Sequence, residues 1–275
     1  MKTVIDIENM IFGYGKEPLF DELNLNVTPG LYGLLGKNGA GKSTLLKIIS
    51  GQLYPHGGSC LTLGENPGDR TPSLLSRLYY LPEDIYVPEI KGSRYVELNA
   101  PFYPDFDHKA FRRSLELFEV TDNKKLNTLS YGQKKKFLIA FAVATNCPLI
   151  LLDEPTNGLD IPSKSQFRQV AASMDLERCA VIISTHQVRD MEMLIDPIII
   201  VDKGKIIMNK SMDEIMNSCH IEFQEEDPAG SDAVYWEKVL GGYTVVKRGP
   251  SEDARNMDLE FLFNLTIAKG PAALD

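Results

Sequence analysis

The stretch GKNGAGKST, Gly36 to Thr44, restricts what this chain can fold into more than any other. It follows the apolar run LYGLL (Leu31 to Leu35) and leads into TLLKIISG, where Leu45, Leu46 and Ile49 keep helical spacing as far as Gly51. The order is strand, glycine loop, helix, with Gly51 stopping the helix as a C-cap. Gly36, Gly39 and Gly41 are expected to take backbone angles closed to other residues, so that successive N–H groups converge on a hollow. A helix opening near Lys42 adds about half a positive charge at its N-terminus. Such a loop packs against phosphate. In the pattern GxxxxGK[ST], whose inner positions here include Asn38 and Ala40, Lys42 is placed to reach β- and γ-phosphates and Ser43 to offer its hydroxyl to Mg2+. Thr44 adds a further hydroxyl.

The rest of the chain supplies layers around this unit. In residues 1–30, TVIDIENMIFGYG and LFDELNLNVTPG alternate apolar and polar between Gly and Pro, which predicts a small antiparallel lobe. Strands and turns are expected from Leu61 to Pro82. From about Asp84 to Thr128 the pattern turns helical and aromatic, with Tyr86, Tyr95, Phe102, Tyr103, Phe106, Phe111 and Phe118, as in an inserted helical lobe. PLILLDEP and RCAVIISTHQ are nearly all-apolar, separated by a helix-like stretch from Pro162 to Leu176, as expected of a parallel sheet covered on both faces. DPIIIVDKGKIIM predicts a closing hairpin turning at Lys203-Gly204. Beyond Ser218 the composition shifts at QEEDPAGSD, and a small lobe ending in DLEFLFNLTIAKG is expected.

Bulk properties exclude several classes. With 43% hydrophobic and 24% charged residues the chain is an ordinary globular one. A net charge of -9 disfavours broad contact with nucleic-acid backbones or anionic lipid. Lys134, Lys135 and Lys136 begin a helix and are expected on a solvated face, so no direct nucleic-acid contact is predicted. Cys60, Cys147, Cys179 and Cys219 lack any metal spacing and suit reduced thiols in a cytosol. MKTVIDIENM has acidic residues where a secretory signal would be apolar. The longest apolar tract, FLIAFAVATNCPLILL from Phe137 to Leu152, is broken by Thr145, Asn146 and Pro148, so no membrane span is expected.

Two further segments carry chemistry. LILLDEP places Asp153 and Glu154 at the C-terminal end of a buried strand. Beside a phosphate loop, Asp153 would hold the Mg2+ shell through water or Ser43, and Glu154 would polarise a water in line with the γ-phosphate. Taken alone, the same pair is what a solvated strand end carries. In LSYGQKKKF, Ser130 can cap a helix whose N-terminal N–H groups, with Gly132, leave room for an anion. Taken alone, that is a well-capped helix.

Together these residues give a resemblance to the nucleotide-binding subunits of ABC transporters. GKNGAGKST resembles the Walker A loop, LSYGQ the signature (usually LSGGQ), LILLDEP the Walker B strand, NGLD the D-loop and STH the H-switch, in the family's order. The resemblance implies an α/β fold: a P-loop NTPase core with a mainly parallel sheet, an N-terminal antiparallel β lobe, an inserted α-helical lobe over about 84–145 and a small C-terminal α+β extension. Residues 1–218 would form the ATPase domain and 219–275 the extension. Tyr14, in FGYG, matches the aromatic that stacks on adenine; the alternative is a core or surface tyrosine. His186 resembles the histidine that contacts the γ-phosphate, and Ser130, Gly132 and Gln133 the anion-facing signature. Asp160 is implied to tie two subunits together near Glu154. Glu83, in LYYLPED, stands where the family usually has glutamine, and keeps an oxygen that can face Mg2+. Tyr131 replaces the signature's first glycine, and its side chain can point away from phosphate.

One copy holds one phosphate loop and one signature, and in the family the signature of one subunit closes over the nucleotide of the other. The resemblance therefore implies a head-to-tail, ATP-dependent homodimer, with ATP and Mg2+ bound, acting on a separate transmembrane permease. Its place would be the cytoplasm, peripheral on the inner face of the cell membrane. The ending DLEFLFNLT resembles the tails of export ATPases, and the aromatics of residues 86–106 are candidates for the permease groove. The alternative is a soluble ABC ATPase serving as a cytosolic assembly factor.

Overall fold

Alternation of apolar and polar side chains builds the N-terminal lobe. The computed structural model describes residues 2–188, 191, 194–250 and 258–270. Strand β1 (Ile5–Phe12) buries Ile5, Ile7, Met10 and Phe12, and β2 (Phe20–Val27) buries Phe20, Leu23, Leu25 and Val27. Strand β3 (Gly30–Leu35) is buried throughout after its first residue and runs through the glycine loop into α1 (Lys42–Ile49), which ends at Ser50 and a Gly51 with φ 71°. β4 (Gly57–Thr62) returns to pair antiparallel with β1, giving the order β2-β1-β4.

The stretch after β4 is only partly strand. Asn66 and Thr71 each cap a short turn opened by the proline that follows, Pro67 and Pro72, so a 3-10 turn and helix α2 (Pro72–Leu75) precede β5 (Leu78–Leu81). The helical lobe follows as α3 (Gly92–Asn99), α4 (His108–Phe118) and α5 (Tyr131–Ala144). Its aromatics divide. Tyr79, Tyr95, Tyr103, Phe106 and Phe111 surround Phe141 with ring centroids between 5.0 and 6.4 Å away, whereas Tyr86 and Phe102 stay exposed at 88% and 69%. Offset and edge-to-face contacts of this kind join α3 and α4 to α5 and β5.

The apolar runs form the sheet as expected. β6 (Leu149–Asp153), α6 (Ile161–Ala172), β7 (Ala180–Thr185), β8 (Ile198–Asp202) and β9 (Lys205–Lys210) complete it in the order β5-β6-β7-β3-β8-β9. All neighbours are parallel except β9, which closes the predicted hairpin on β8. Lys203 and Gly204 both have positive φ, 46° and 74°, which a tight two-residue turn of matching twist requires. A Cβ on Gly204 would also strike the Leu19 carbonyl.

Helix α7 (Met212–Ser218) leads into the extension: β10 (Cys219–Gln224), β11 (Tyr235–Val239) and β12 (Gly242–Arg248), ordered β10-β12-β11, then α8 (Leu259–Lys269) capped by Asp258. Val246, Leu262 and Leu265 join the core cluster that contains α5 and the sheet. Residues 251–257 and 271–275 of the extension lie outside the described residues.

All four cysteines are free and buried, and burial pushes the thiols of Cys60, Cys147 and Cys179 up to about 12. Among the described residues no helix is long and apolar enough to cross a membrane.

Candidate functional site

The glycines of the loop serve different needs. Gly36 does not take a positive φ, contrary to expectation; it is needed for space, because a Cβ there would lie 2.6 Å from the Val201 carbonyl oxygen. Gly41 needs both. Its φ is 106°, and a Cβ would sit 2.7 Å from Cε1 of the buried Phe20 ring. Gly41→Ala is expected to cost at least about 1–3 kcal/mol from backbone strain alone, read as a lower denaturant midpoint at unchanged slope. Lys37, Asn38 and Gly39 are exposed, Ala40 is buried, and Gly41 gives the first-turn N–H groups of α1 no side-chain cap.

Lys42 is buried, and its Nζ donates to the carbonyl of Gly36 at 2.7 Å and that of Lys37 at 3.4 Å. The ammonium also lies 3.9 Å from Glu154 Oε1. Burial pushes its pKa down, opposed by the charges of Glu154, Asp153 and Glu83. The start of α1, the end of β6 and the loop after β5 thus bring one cation and three carboxylates within electrostatic reach of one another.

Asp153 and Glu154 are both buried at the C-terminal end of β6. Asp153 accepts from the Tyr80 hydroxyl at 3.4 Å and, through its other oxygen, from the Ser184 hydroxyl. Glu154 has φ 46°, a left-handed conformation that costs a non-glycine residue about 1–3 kcal/mol and is held only where surroundings dictate it. Those surroundings are explicit. Its N–H donates to Ser184 O and Oγ, both at 3.1 Å, and its carbonyl accepts from Lys135 Nζ at 2.6 Å. Its carboxylate Oε1 meets His186 Nδ1 at 2.8 Å. An ionised carboxylate only accepts, so the Nδ1–H tautomer is the one that lets His186 donate to it. A carboxylate fixed between an imidazole and an ammonium is equipped to take a proton from water.

Two more predicted residues flank this group. Tyr14 is 70% exposed, stands edge-on to Phe12, and shares a hydrogen bond of 3.1 Å with Thr44 Oγ1, so an aromatic face is presented beside the glycine loop. Ser43 is half-buried on the first turn of α1.

The signature forms a second group. Ser130 and Gln133 close a capping box: Gln133 N–H donates to Ser130 Oγ at 3.2 Å and Ser130 N–H to Gln133 Oε1 at 3.1 Å. A Cβ on Gly132 would lie 3.6 Å from the Gly158 carbonyl, so the start of α5 rests on the Gly158–Asp160 turn. Asp160 is exposed and caps α6 by accepting from Ser163 N–H at 2.9 Å; hydrogen bonding by Ser163 lowers its pKa. Tyr131 is turned into its own chain, where its hydroxyl donates to Glu83 O at 3.0 Å. Glu83 Oε1 in turn accepts from Asn157 Nδ2 at 3.1 Å.

The sequence profile described as ABC transporter matches residues 20–157. A bacitracin transport ATP-binding protein of Bacillus licheniformis is 31% identical over 82% of this chain and 76% of its own length. The chain belongs to the ABC transporter family. Within that family it is an ATP-binding subunit and an ATPase. The ATP-binding protein of a high-affinity zinc uptake system of Bacillus subtilis is 28% identical over 74% of this chain and 93% of its own. Among solved structures, a dimeric ATP-binding cassette in a post-hydrolysis state bound to ADP and Pi shares the fold, with a TM-score of 0.64 at 23% identity over 75% of this chain and 98% of its own.

Against the ABC transporter pattern, sequence reasoning missed three side chains. Ser184 and Tyr80 both engage Asp153, and nothing in an apolar strand marks them beforehand except a hydroxyl at its C-terminal end. Lys135 corrects an expectation outright. It is fully buried, with Nζ on the carbonyls of Glu154 and Asn157, while Lys136 reaches Phe118 O at 3.3 Å. A run of three lysines hides which one faces inward, because helical spacing turns neighbouring residues to different sides.

Proposed function

We propose that this chain is the motor of a membrane exporter, working as an ATP-dependent, head-to-tail homodimer on a separate permease. The observation that carries this reading is the meeting of Lys42, Glu154 and His186 at the end of the glycine loop, with Glu154 Oε1 at 2.8 Å from His186 and 3.9 Å from Lys42. In this reading Gly36–Thr44 cradles the phosphates, Lys42 leaves the loop carbonyls for the β- and γ-phosphates, and Tyr14 stacks on adenine. Glu154 takes the proton of the attacking water while His186 faces the γ-phosphate. The Ser43 hydroxyl and the Asp153 carboxylate are hard oxygen donors and suit Mg2+, with Glu83 a further oxygen nearby. Mg2+ supplies charge neutralisation for the phosphates.

Ser130, Gly132 and Gln133 of one copy would close over the nucleotide held by the other, with Asp160 at the seam. The dimeric cassette bound to ADP and Pi supports a pair of this kind. Loss of the γ-phosphate contact would then open the pair, a two-state element biased by its ligand. Residues 1–218 are the ATPase domain and 219–275 its extension. The exposed Tyr86, Leu98 and Phe102 are the permease-facing apolar residues, and the chain works at the inner face of the membrane. Export is supported by the ending DLEFLFNLT of the extension, which resembles the tails of export ATPases. Cell fractionation tests the pairing: recovery with membranes, bound to a protein of about six apolar spans of ~20 residues, is the expected result. Recovery only with cytosolic partners would favour an assembly factor.

A further inference from the structure

Lys135 is the one fully buried lysine among the described residues. Removing an ammonium from water is costly unless it is hydrogen-bonded and its charge is compensated. Here Nζ donates to Glu154 O at 2.6 Å and Asn157 O at 3.1 Å, and lies 5.5 Å from the centroid of the Tyr131 ring. Asn157 N–H also donates to Glu154 O at 3.2 Å, so the two carbonyls that Lys135 grips are the ends of a single turn. That turn begins at the residue with φ 46° whose carboxylate meets His186 and Lys42.

The same turn is bound from two other sides. Glu83 Oε1 accepts from Asn157 Nδ2, and Tyr131, whose hydroxyl donates to Glu83 O, lays its ring against Gly158; a Cβ there would lie 3.1 Å from Tyr131 Cε1. Four side chains thus join the loop after β5, the first turns of α5 and the Glu154–Asp160 turn within one copy.

We propose that Lys135, roofed by Tyr131, is a positioning residue for Glu154. By holding the Glu154 and Asn157 carbonyls it keeps Glu154 in its left-handed conformation and so sets the direction of its carboxylate. Glu83, Tyr131 and Asn157 tie that geometry to the loop after β5. The inference rests on Glu154 being the base in ATP hydrolysis. Lys135 acts through the backbone of Glu154, whose carbonyl it holds.

The test compares Lys135→Met, which keeps the stem and removes the donors, with Lys135→Arg, which restores donors and charge. Lys135→Met should lower kcat about 10- to 100-fold, as small misplacements of a reacting group do, with ATP affinity within about 2-fold of the parent. Lys135→Arg should recover most of that loss. In a Glu154→Gln background Lys135→Met should change residual turnover less than about 2-fold, because the two act as one unit. Should Lys135→Met not fold, Tyr131→Phe removes only the link to Glu83, and kcat is expected to fall about 3- to 10-fold at unchanged ATP affinity. A parental kcat in folded Lys135→Met, or in Tyr131→Phe when that variant stands in for it, overturns the proposal. So does a joint fall of kcat and ATP affinity that tracks the folded fraction. If Glu154→Gln itself turns over at the parental rate, the assignment of the base has failed instead; if it is silent while Lys135→Met is fully active, only the positioning role has.

Discussion

Glu154→Gln is expected to lower steady-state ATP turnover by about 10²- to 10⁴-fold, the range a positioned general base contributes. The amide is nearly isosteric and still accepts from His186 Nδ1, so the contact at 2.8 Å and the fold survive. What is lost is the capacity to take a proton, together with the negative charge 3.9 Å from Lys42 Nζ. ATP binding and ATP-dependent pairing should persist in this variant and even accumulate, because the step that opens the pair is blocked. Phosphate release and light scattering on the same sample check both halves. Turnover at the parental rate would remove Glu154 from the chemistry.

The second large effect is expected of Lys42→Ala. Two charge-assisted hydrogen bonds to phosphate oxygens, each worth about 1.5–3 kcal/mol, would be lost, so ATP affinity should fall by roughly 100-fold or more. A second loss compounds this: Glu154 and Asp153 keep their charges without the ammonium that lies 3.9 Å from Glu154 Oε1. Like charges then face the triphosphate. Fluorescent-nucleotide titration measures the shift, and circular dichroism shows whether the fold is retained. An unchanged affinity would mean that Gly36–Thr44 does not cradle the phosphates.

Much of this architecture was legible in the residues. Short continuous apolar runs such as LILLD and AVIIST are what strands buried on both faces carry, and they are β6 and β7. Lys203-Gly204 specified the closing turn through backbone angles that few residues accept. Ser130, read as a helix cap, is the N-cap of α5, and the structure adds Gln133 as the other half of a capping box. What escaped reading depends on contacts between segments far apart in sequence. Gly36 is dictated by the approach of Val201, and no local pattern records that approach. The stretch from Leu61 to Pro82 has strand-like composition, yet Asn66-Pro67 and Thr71-Pro72 start turns that outweigh it. Lys135 looked like surface because its partners are backbone carbonyls about twenty residues away, and carbonyls leave no trace in a sequence. Likewise Tyr86 and Phe141 are alike as aromatics, and only the packing of α3, α4 and α5 separates an exposed ring from a central one.

The central claim is that two copies clamp ATP between the glycine loop of one and the Ser130-led end of α5 of the other. A crystal structure of Glu154→Gln with ATP and Mg2+ tests it most directly. The account predicts a two-fold pair in which each γ-phosphate is held by Lys42 of one copy and by Ser130 and the Gly132 N–H of its mate. A closed, ATP-bound form with the triphosphate enclosed wholly by one copy would contradict it.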